Sequence, residues 1–349
     1  MFKEAYLEPV THLLFGACLS RAGFNRKTGL ATLTLVLAAE APDMDAVAYF
    51  GGSVSGFQHH RGITHSFLGA PFVAALVVAG VYGIYRLMKA RGRPPRISPN
   101  WKLLYFYAVF GCLTHILLDF SNNYGVRPFE PFSYKWYSWD IFFIIDPVVL
   151  GLLALALVVP GFMSLITDEI GARKQQFRGR GAAIFALLCI AALAGLCDFE
   201  HRRAVNALES LSYHDEQPLR ASAFPTMMNP FSWHGVVETK DFLEALPVNS
   251  GSSEVDPDNL GVHRYKPEET PATLAARKSR LGQGYLDWAQ YPFVEASHLP
   301  NDKGYIVQFQ DWRFFGNAIG SGHSSPLSGY VVLSPDLKVE DMSMGMRPK

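Results

Sequence analysis

Half of this 349-residue chain has no cysteine: all four (Cys18, Cys112, Cys189 and Cys197) lie before residue 200. No disulfide framework can therefore brace residues 200–349, and the four thiols read as buried apolar groups. The chain also lacks a charge of one sign. Lys and Arg number 31 and Asp and Glu 31, so no global pull toward nucleic acid is expected. Residues Met1–Val10 show no basic stretch followed by an apolar one, so no cleavable leader is read there. The most telling lack is of charge within long apolar runs.

Four such runs are Phe67–Tyr85, Leu103–Leu118, Pro147–Thr167 and Gly181–Cys197. Each approaches the roughly 20 apolar residues that a helix needs to cross a bilayer. Two shorter runs, Val10–Ala22 and Gly29–Ala41, read as tilted or re-entrant helices within the same bundle. The expected fold is mainly α: a polytopic membrane domain of four to six helices over residues 1–199, then a small soluble α+β domain over 200–349. In the latter, Gly235–Glu238, Tyr305–Phe315 and Tyr330–Ser334 alternate like strands, and Pro271–Gln290 has helical spacing.

Basic residues set a direction. Three loops hold Arg21, Arg26 and Lys27; Arg86, Lys89, Arg91, Arg93, Arg96 and Lys102; and Arg173, Lys174, Arg178 and Arg180. The alternate connections hold only Lys3, Arg61, Arg127 and Lys135. The richer set belongs in the cytoplasm. Six crossings then place both termini outside, and the soluble domain is expected to be extracytoplasmic, on the periplasmic side of a bacterial inner membrane.

The ionisable residues beside these runs fall into groups: Thr11-His12, Asp43-Met-Asp45, His59-His60-Arg61-Gly62-Ile63-Thr64-His65-Ser66, His115-Ile-Leu-Leu-Asp119, and Asp140 with Asp146. Such groups are costly next to lipid and usually mark function. In the six-crossing order they all meet at the outer rim. His115 and Asp119 are i,i+4, about 40° apart on one helix face, so one ion can take both. Asp43 and Asp45 follow Pro42 in a turn or helix start. One suits a metal, the other the orientation of a histidine. In the 60–66 block His60 and His65 each offer a ring nitrogen. Gly62 permits a tight turn, Thr64 suits a helix cap, and the Arg61 fork suits a phosphate. The expected metal ligands are thus His12, Asp43, His60, His65, His115 and Asp119, with Asp43 and Arg61 in catalytic roles. The bland alternatives are a snorkelling histidine, a solvated turn at 43–45, a polar surface loop at 60–66, and Asp146 merely ending a helix before Pro147. The six histidines after residue 200 (His201, His214, His234, His263, His298 and His323) show no ligand spacing. The aromatic and Pro-rich stretch at 225–234 reads either as a core hairpin or as a surface that docks on the membrane or covers the site.

THLLFG at 11–16, APDMD at 41–45, HRGITHS at 60–66 and HILLD at 115–119 resemble the membrane-bound metal-dependent hydrolases of the YdjM type. The likeness covers about residues 8–150 and continues more loosely through the later spans. It implies an integral inner-membrane protein with a metal-dependent hydrolase site. That family is similar in turn to zinc-dependent phospholipase C and P1 nuclease. This likeness implies metal-ligand roles for His12, His115 and Asp119, and a bridging or base role for Asp43. Those enzymes carry further His and Glu ligands, but no later His-x-x-x-Glu follows within residues 1–199, so one or two ions, zinc first, are expected rather than three. A metal-activated water acting on a phosphoester of a lipid or envelope precursor is the leading expectation. A transporter or a non-catalytic metal-binding scaffold is the alternative. The expected partners are the bilayer and such a substrate, with no nucleic acid; oligomeric state is not read.

Overall fold

The computed structural model describes residues 8–169, 179–252, 254–315, 327–345 and 347. Lys3, Arg173, Lys174, Arg178 and His323, and most of the Met1–Val10 stretch, lie outside the described residues. Cα packing divides the chain into two compact units.

One unit comprises residues 2–45 and 61–196 and is helical. Its helices are α1 (Glu8–Ala22), α2 (Ala31–Glu40), and, after an excursion into the other unit, α4 (Gly69–Ala90), α5 (Trp101–Ser121), α6 (Pro147–Glu169) and the first part of α7 (Arg180–Glu209). Among the described residues, α4, α5 and α7 are long and apolar enough to cross a membrane, with a shorter apolar stretch at Pro147–Met163. At 1.5 Å per residue, α1 and α2 reach only about 22 and 15 Å, short of a bilayer core of roughly 30 Å. Both are nonetheless apolar, because they pack inside the bundle: α2 against α1, α4 and α5, and α1 also against α6.

Small residues set the spacing of α1, α2 and α5. A Cβ added at Gly16 would lie 2.7 Å from the Leu35 carbonyl oxygen, and one at Gly111 would lie 2.8 Å from the Ala38 Cβ. Such close approach is how helices associate where no hydrophobic effect separates helix from lipid. It places residues one turn away on facing helices in contact. His12 precedes Gly16 by one turn and His115 follows Gly111 by one turn. Their rings stack with centroids 3.9 Å apart. At the other end of α5, the Asn100 side chain accepts the Leu103 N–H at 3.1 Å and fixes the helix start.

The second unit comprises residues 46–60 and 197–349. It holds two antiparallel sheets. The first orders β1 (Arg220–Thr226), β2 (Asn229–Glu238), β3 (Phe242–Asn249) and β4 (Glu254–Val255), with β5 (Val262–Tyr265) also on β3. The second orders β6 (Pro292–His298), β7 (Tyr305–Asp311), β8 (Gly329–Leu333) and β9 (Val339–Met344). Phe224, Val236, Leu243, Tyr291, Phe293 and Trp312 form a buried cluster in this unit. Short α8 (Pro257–Leu260) follows β4. The helix read over 271–290 is two: α9 (Pro271–Arg277) and α10 (Arg280–Trp288). The break has a local cause, because the Ser279 hydroxyl accepts the Gly282 N–H at 3.0 Å and restarts the helix.

Between Asp45 and Arg61 the chain leaves the helical unit. Its α3 (Ser53–His59) packs in the second unit, where Phe57 meets Trp288 edge-on at 5.3 Å, Arg280 donates to the Gln58 carboxamide oxygen at 2.6 Å, and Ser53 accepts the Met344 N–H at 3.1 Å.

The Gly111 contact yields a prediction. Gly111→Val forces α2 and α5 apart, and overpacking of this kind costs about 1–3 kcal/mol. Thermal unfolding of the purified protein in detergent should show a lower midpoint for Gly111→Val, with Gly80→Val, where a Cβ meets open space, close to wild type.

Candidate metal centre

The first element of the site is a 3₁₀ segment, Ala41–Gly51, that begins where α2 ends and carries Asp43 and Asp45. The second is the 60–66 block, which winds around Asp45. One carboxylate oxygen, Oδ2, accepts the Arg61 N–H at 2.9 Å and the Thr64 hydroxyl at 2.9 Å, and lies 3.2 Å from His65 Nδ1. The left-handed residue in this turn is Arg61 (φ 56); Gly62, expected to make the turn, sits at φ −89. Thr64 is not the cap of the following helix. Ser66 takes that place, accepting the Gly69 N–H at 2.9 Å, while Thr64 is committed to Asp45. The third element is the end of α5, with His115 and Asp119 on its inner face, both buried.

These elements bring four donor atoms together: Asp43 Oδ1, His65 Nε2, His115 Nε2 and Asp119 Oδ2. The two imidazole nitrogens lie 3.0 Å apart. His65 Nε2 is 3.3 Å from both Asp43 Oδ1 and Asp119 Oδ2, and His115 Nε2 is 3.5 and 3.3 Å from the same atoms. A tetrahedral ion with bonds of about 2.0–2.1 Å needs donors about 3.3–3.4 Å apart. The five edges that involve an imidazole, 3.0–3.5 Å, lie close to that requirement.

The tautomers agree. His115 Nδ1 lies 2.6 Å from the Ala39 carbonyl oxygen, which can only accept, so Nδ1 carries the proton and Nε2 presents its lone pair inward. His65 Nδ1 faces the Asp45 carboxylate, with the same consequence. Fixing Nδ1 on a carbonyl or carboxylate is the usual way a protein aims a metal-binding imidazole. With both imidazoles neutral, the two Nε2 lone pairs and the carboxylates beside them would leave a cation-shaped gap. The cluster holds three carboxylates (Asp43, Asp45 and Asp119) and one guanidinium (Arg61), so with neutral imidazoles it is anionic. A divalent cation balances it.

Electrostatics at the outer part of the cluster follow. Burial alone would raise the Asp43 carboxyl, but the His115 and His65 imidazoles outweigh it and hold Asp43 well below the usual carboxylate range. Burial disfavours the His65 imidazolium, but hydrogen bonds to Asp119, Asp43 and Asp45 outweigh that and push His65 well above its ordinary value.

His12 and Arg61 hold the other oxygen of Asp119. His12 Nε2 is 3.3 Å and Arg61 Nη2 3.1 Å from Asp119 Oδ1. Arg61 is 1% exposed; its Nη1 donates to the Asn122 side-chain oxygen at 3.1 Å and the Gly125 carbonyl at 3.2 Å, and its guanidinium lies over the Tyr124 ring at 4.8 Å. The fork expected to meet a phosphate is thus occupied inside the protein, where it orients Asp119. His12 stands beside the four donors, not among them. A cavity of about 30 Å³ borders His12, Asp119, Asn122 and Asp146, room for a water molecule.

His60, the residue after α3, has its ring 6.3 Å from that of Tyr49; it is not one of these four but belongs to a second His/Asp group able to hold an ion. Asp146 is a helix cap, accepting the Val148 and Val149 N–H groups at 2.8 and 3.1 Å. Asp140 adopts the left-handed conformation (φ 57). Sequence reasoning did not find the Ala39 carbonyl, which carries no side-chain signal, nor the anchoring of Arg61 by Asn122.

Asp45 should matter without touching the ion. Loss of such an outer partner typically costs 10–100-fold in metal affinity. Isothermal titration of the metal-free protein with Zn²⁺ should show about that weakening for Asp45→Ala. The same titration tests protonation. An ion binds only neutral His65, whose protonated form is favoured in the metal-free site, so uptake at neutral pH should release protons and apparent affinity should rise as pH rises. Heats independent of buffer ionisation enthalpy would contradict the assignment of His65.

The profile of one protein family, described as YdjM inner membrane protein, matches residues 7–203. The Bacillus subtilis (strain 168) protein named "Uncharacterized protein YfhP" is 25% identical over 111 residues, which cover 32% of this chain and 31% of that protein. The matched stretch thus spans less than a third of the relative's length. No solved structure matches. The family profile spans more than half of the chain and contains all four donors, and together with three membrane-length apolar helices it establishes that the chain is a membrane protein belonging to the YdjM inner membrane protein family.

Proposed function

We propose that this chain is a metal-dependent hydrolase of the bacterial inner membrane, acting on a phosphoester of a lipid or envelope precursor, with one zinc ion at the four-donor centre. The observation that carries this reading is the pairing of two imidazole Nε2 atoms, each with Nδ1 already committed, against two carboxylate oxygens at tetrahedral spacing. When bound, the ion supplies Lewis acidity and makes water a nucleophile near neutral pH. Asp43 is the residue on the approach side: its side chain is 22% exposed, against 0–1% for His65, His115 and Asp119. That exposure supports giving Asp43 the role of accepting the water proton as attack proceeds. Asp119, held by Arg61 and His12, keeps its other oxygen aimed at the ion. Arg61 acts here as a positioning residue.

The observation favouring a second reading is the completeness of the donor set. Four protein donors close a tetrahedron, as in structural sites, whereas hydrolytic sites commonly use three and keep one position open. A non-catalytic metal-binding scaffold follows if Asp43 stays bound throughout.

One experiment separates them. Purified protein is assayed for bound metal and for turnover of a phosphoester panel, with His65→Ala, His115→Ala and Asp43→Asn beside wild type. Hydrolysis predicts about one metal per chain, its loss in both histidine variants, and at least a 100-fold fall in turnover for Asp43→Asn with metal retained. Metal without turnover on any substrate supports the scaffold; no metal in wild type refutes both.

The loop charges favour cytoplasmic placement of the basic set, and so an extracytoplasmic second unit. A C-terminal alkaline phosphatase fusion is then expected to be active in cells, and a C-terminal green fluorescent protein fusion dark. The opposite pair of results would reverse the orientation.

A further inference from the structure

The second unit ends, on the side where α7 enters it, in an apolar hairpin tip that the metal site does not use. β1 and β2 pair with Thr226 opposite Asn229, so Met227 and Met228 form the turn. Met227 is 53% exposed, Met228 62% and Phe231 41%. Met228 sits in the left-handed region (φ 66), a place that turns normally give to Gly or Asn. No Asp, Glu, Lys or Arg occurs between Arg220 and Glu238. Thr226 and Asn229 flank the turn, but the charge that usually marks a water-facing hairpin tip is missing.

The direction of the tip follows from contacts along α7. A Cβ at Gly235 would meet the Leu208 side chain, whereas the Trp233 ring lies 5.3 Å from that of His201. Moving down β2 toward its start therefore moves up α7 toward its apolar section. Farther on, Phe231 accepts the Ser250 N–H at 2.9 Å, and Arg203, whose guanidinium lies 5.9 Å from the Phe199 ring, donates to the Gly251 carbonyl at 3.2 Å. The uncharged stretch of α7 ends at Cys197, and charge begins at Asp198. From His201 to Asp198 the helix rises about 5 Å. From Trp233 to Asn229 a strand advances about 13 Å. The tip accordingly reaches the level at which α7 passes from polar to apolar surroundings, beside Phe199, which is 59% exposed.

We propose that the β1–β2 tip is a lipid-contacting element, with Met227, Met228 and Phe231 seated at the headgroup–acyl boundary of the leaflet from which α7 emerges. Bilayer lipid is the occupant because the patch continues the apolar surface of a membrane-crossing helix and offers no charge to a polar partner. Flexible thioether side chains suit a disordered apolar phase.

The test places a nitroxide at Met228→Cys and, separately, at Phe231→Cys, in full-length protein reconstituted into phosphatidylcholine–phosphatidylglycerol vesicles. Leu219→Cys is the control: it is 69% exposed but lies at the opposite end of β1. Wild type, treated alike, measures labelling of the native thiols. Collision rates with oxygen and with a water-soluble nickel chelate are read by power saturation. The oxygen-to-nickel ratio is expected to be at least five-fold higher at positions 228 and 231 than at 219. Equal ratios at all three would overturn the proposal. So would low collision with both reagents at 228 and 231, which would mean that protein, either another part of this chain or a second copy, covers the tip.

Discussion

The site depends on one buried carboxylate. Asp119 is 1% exposed at the end of an apolar helix, where an unpaired charge would be prohibitively costly. Its two oxygens divide the surroundings. Oδ1 faces His12 and Arg61, which fix it; Oδ2 faces His65 and His115, which share a metal-sized gap with it. Removing any one of these partners leaves a charge in the protein interior, so the cluster is held as a unit. Glycine-mediated approach of α1, α2 and α5 makes the arrangement possible, because His12 and His115 meet only if the helices nearly touch.

Much of the centre was legible in the sequence. The i,i+4 spacing of His115 and Asp119 on an apolar helix allowed few other readings, and Asp43 and His65 stood beside apolar runs where charge is rare. The helical first half and the strand-rich second half were also readable from hydropathy and alternation. The second half proved to hold two antiparallel sheets, and its long helix is cut by a serine cap.

What was not legible depended on three-dimensional approach. A guanidinium in a polar block looks available, and only the fold shows Arg61 turned inward onto Asp119, Asn122 and Gly125. His60 and His65 are equivalent as letters, but His60 directly follows α3 while the left-handed turn at Arg61 and the grip of Asp45 carry His65 onto α5. No one-dimensional pattern shows that residues 46–60 fold with the distant C-terminal half: the signal lies in the contacts of Phe57, Gln58 and Ser53 with residues more than 200 positions away. The carbonyl that sets the His115 tautomer belongs to an alanine.

The measurement that tests the central claim most directly is an X-ray absorption spectrum of the protein loaded with one equivalent of Zn²⁺. The account predicts a four-coordinate ion with two imidazole ligands and two oxygens at about 2.0–2.1 Å, and loss of one imidazole's multiple-scattering contribution in His115→Ala. A six-coordinate spectrum without imidazole scattering, unchanged by that substitution, would contradict it.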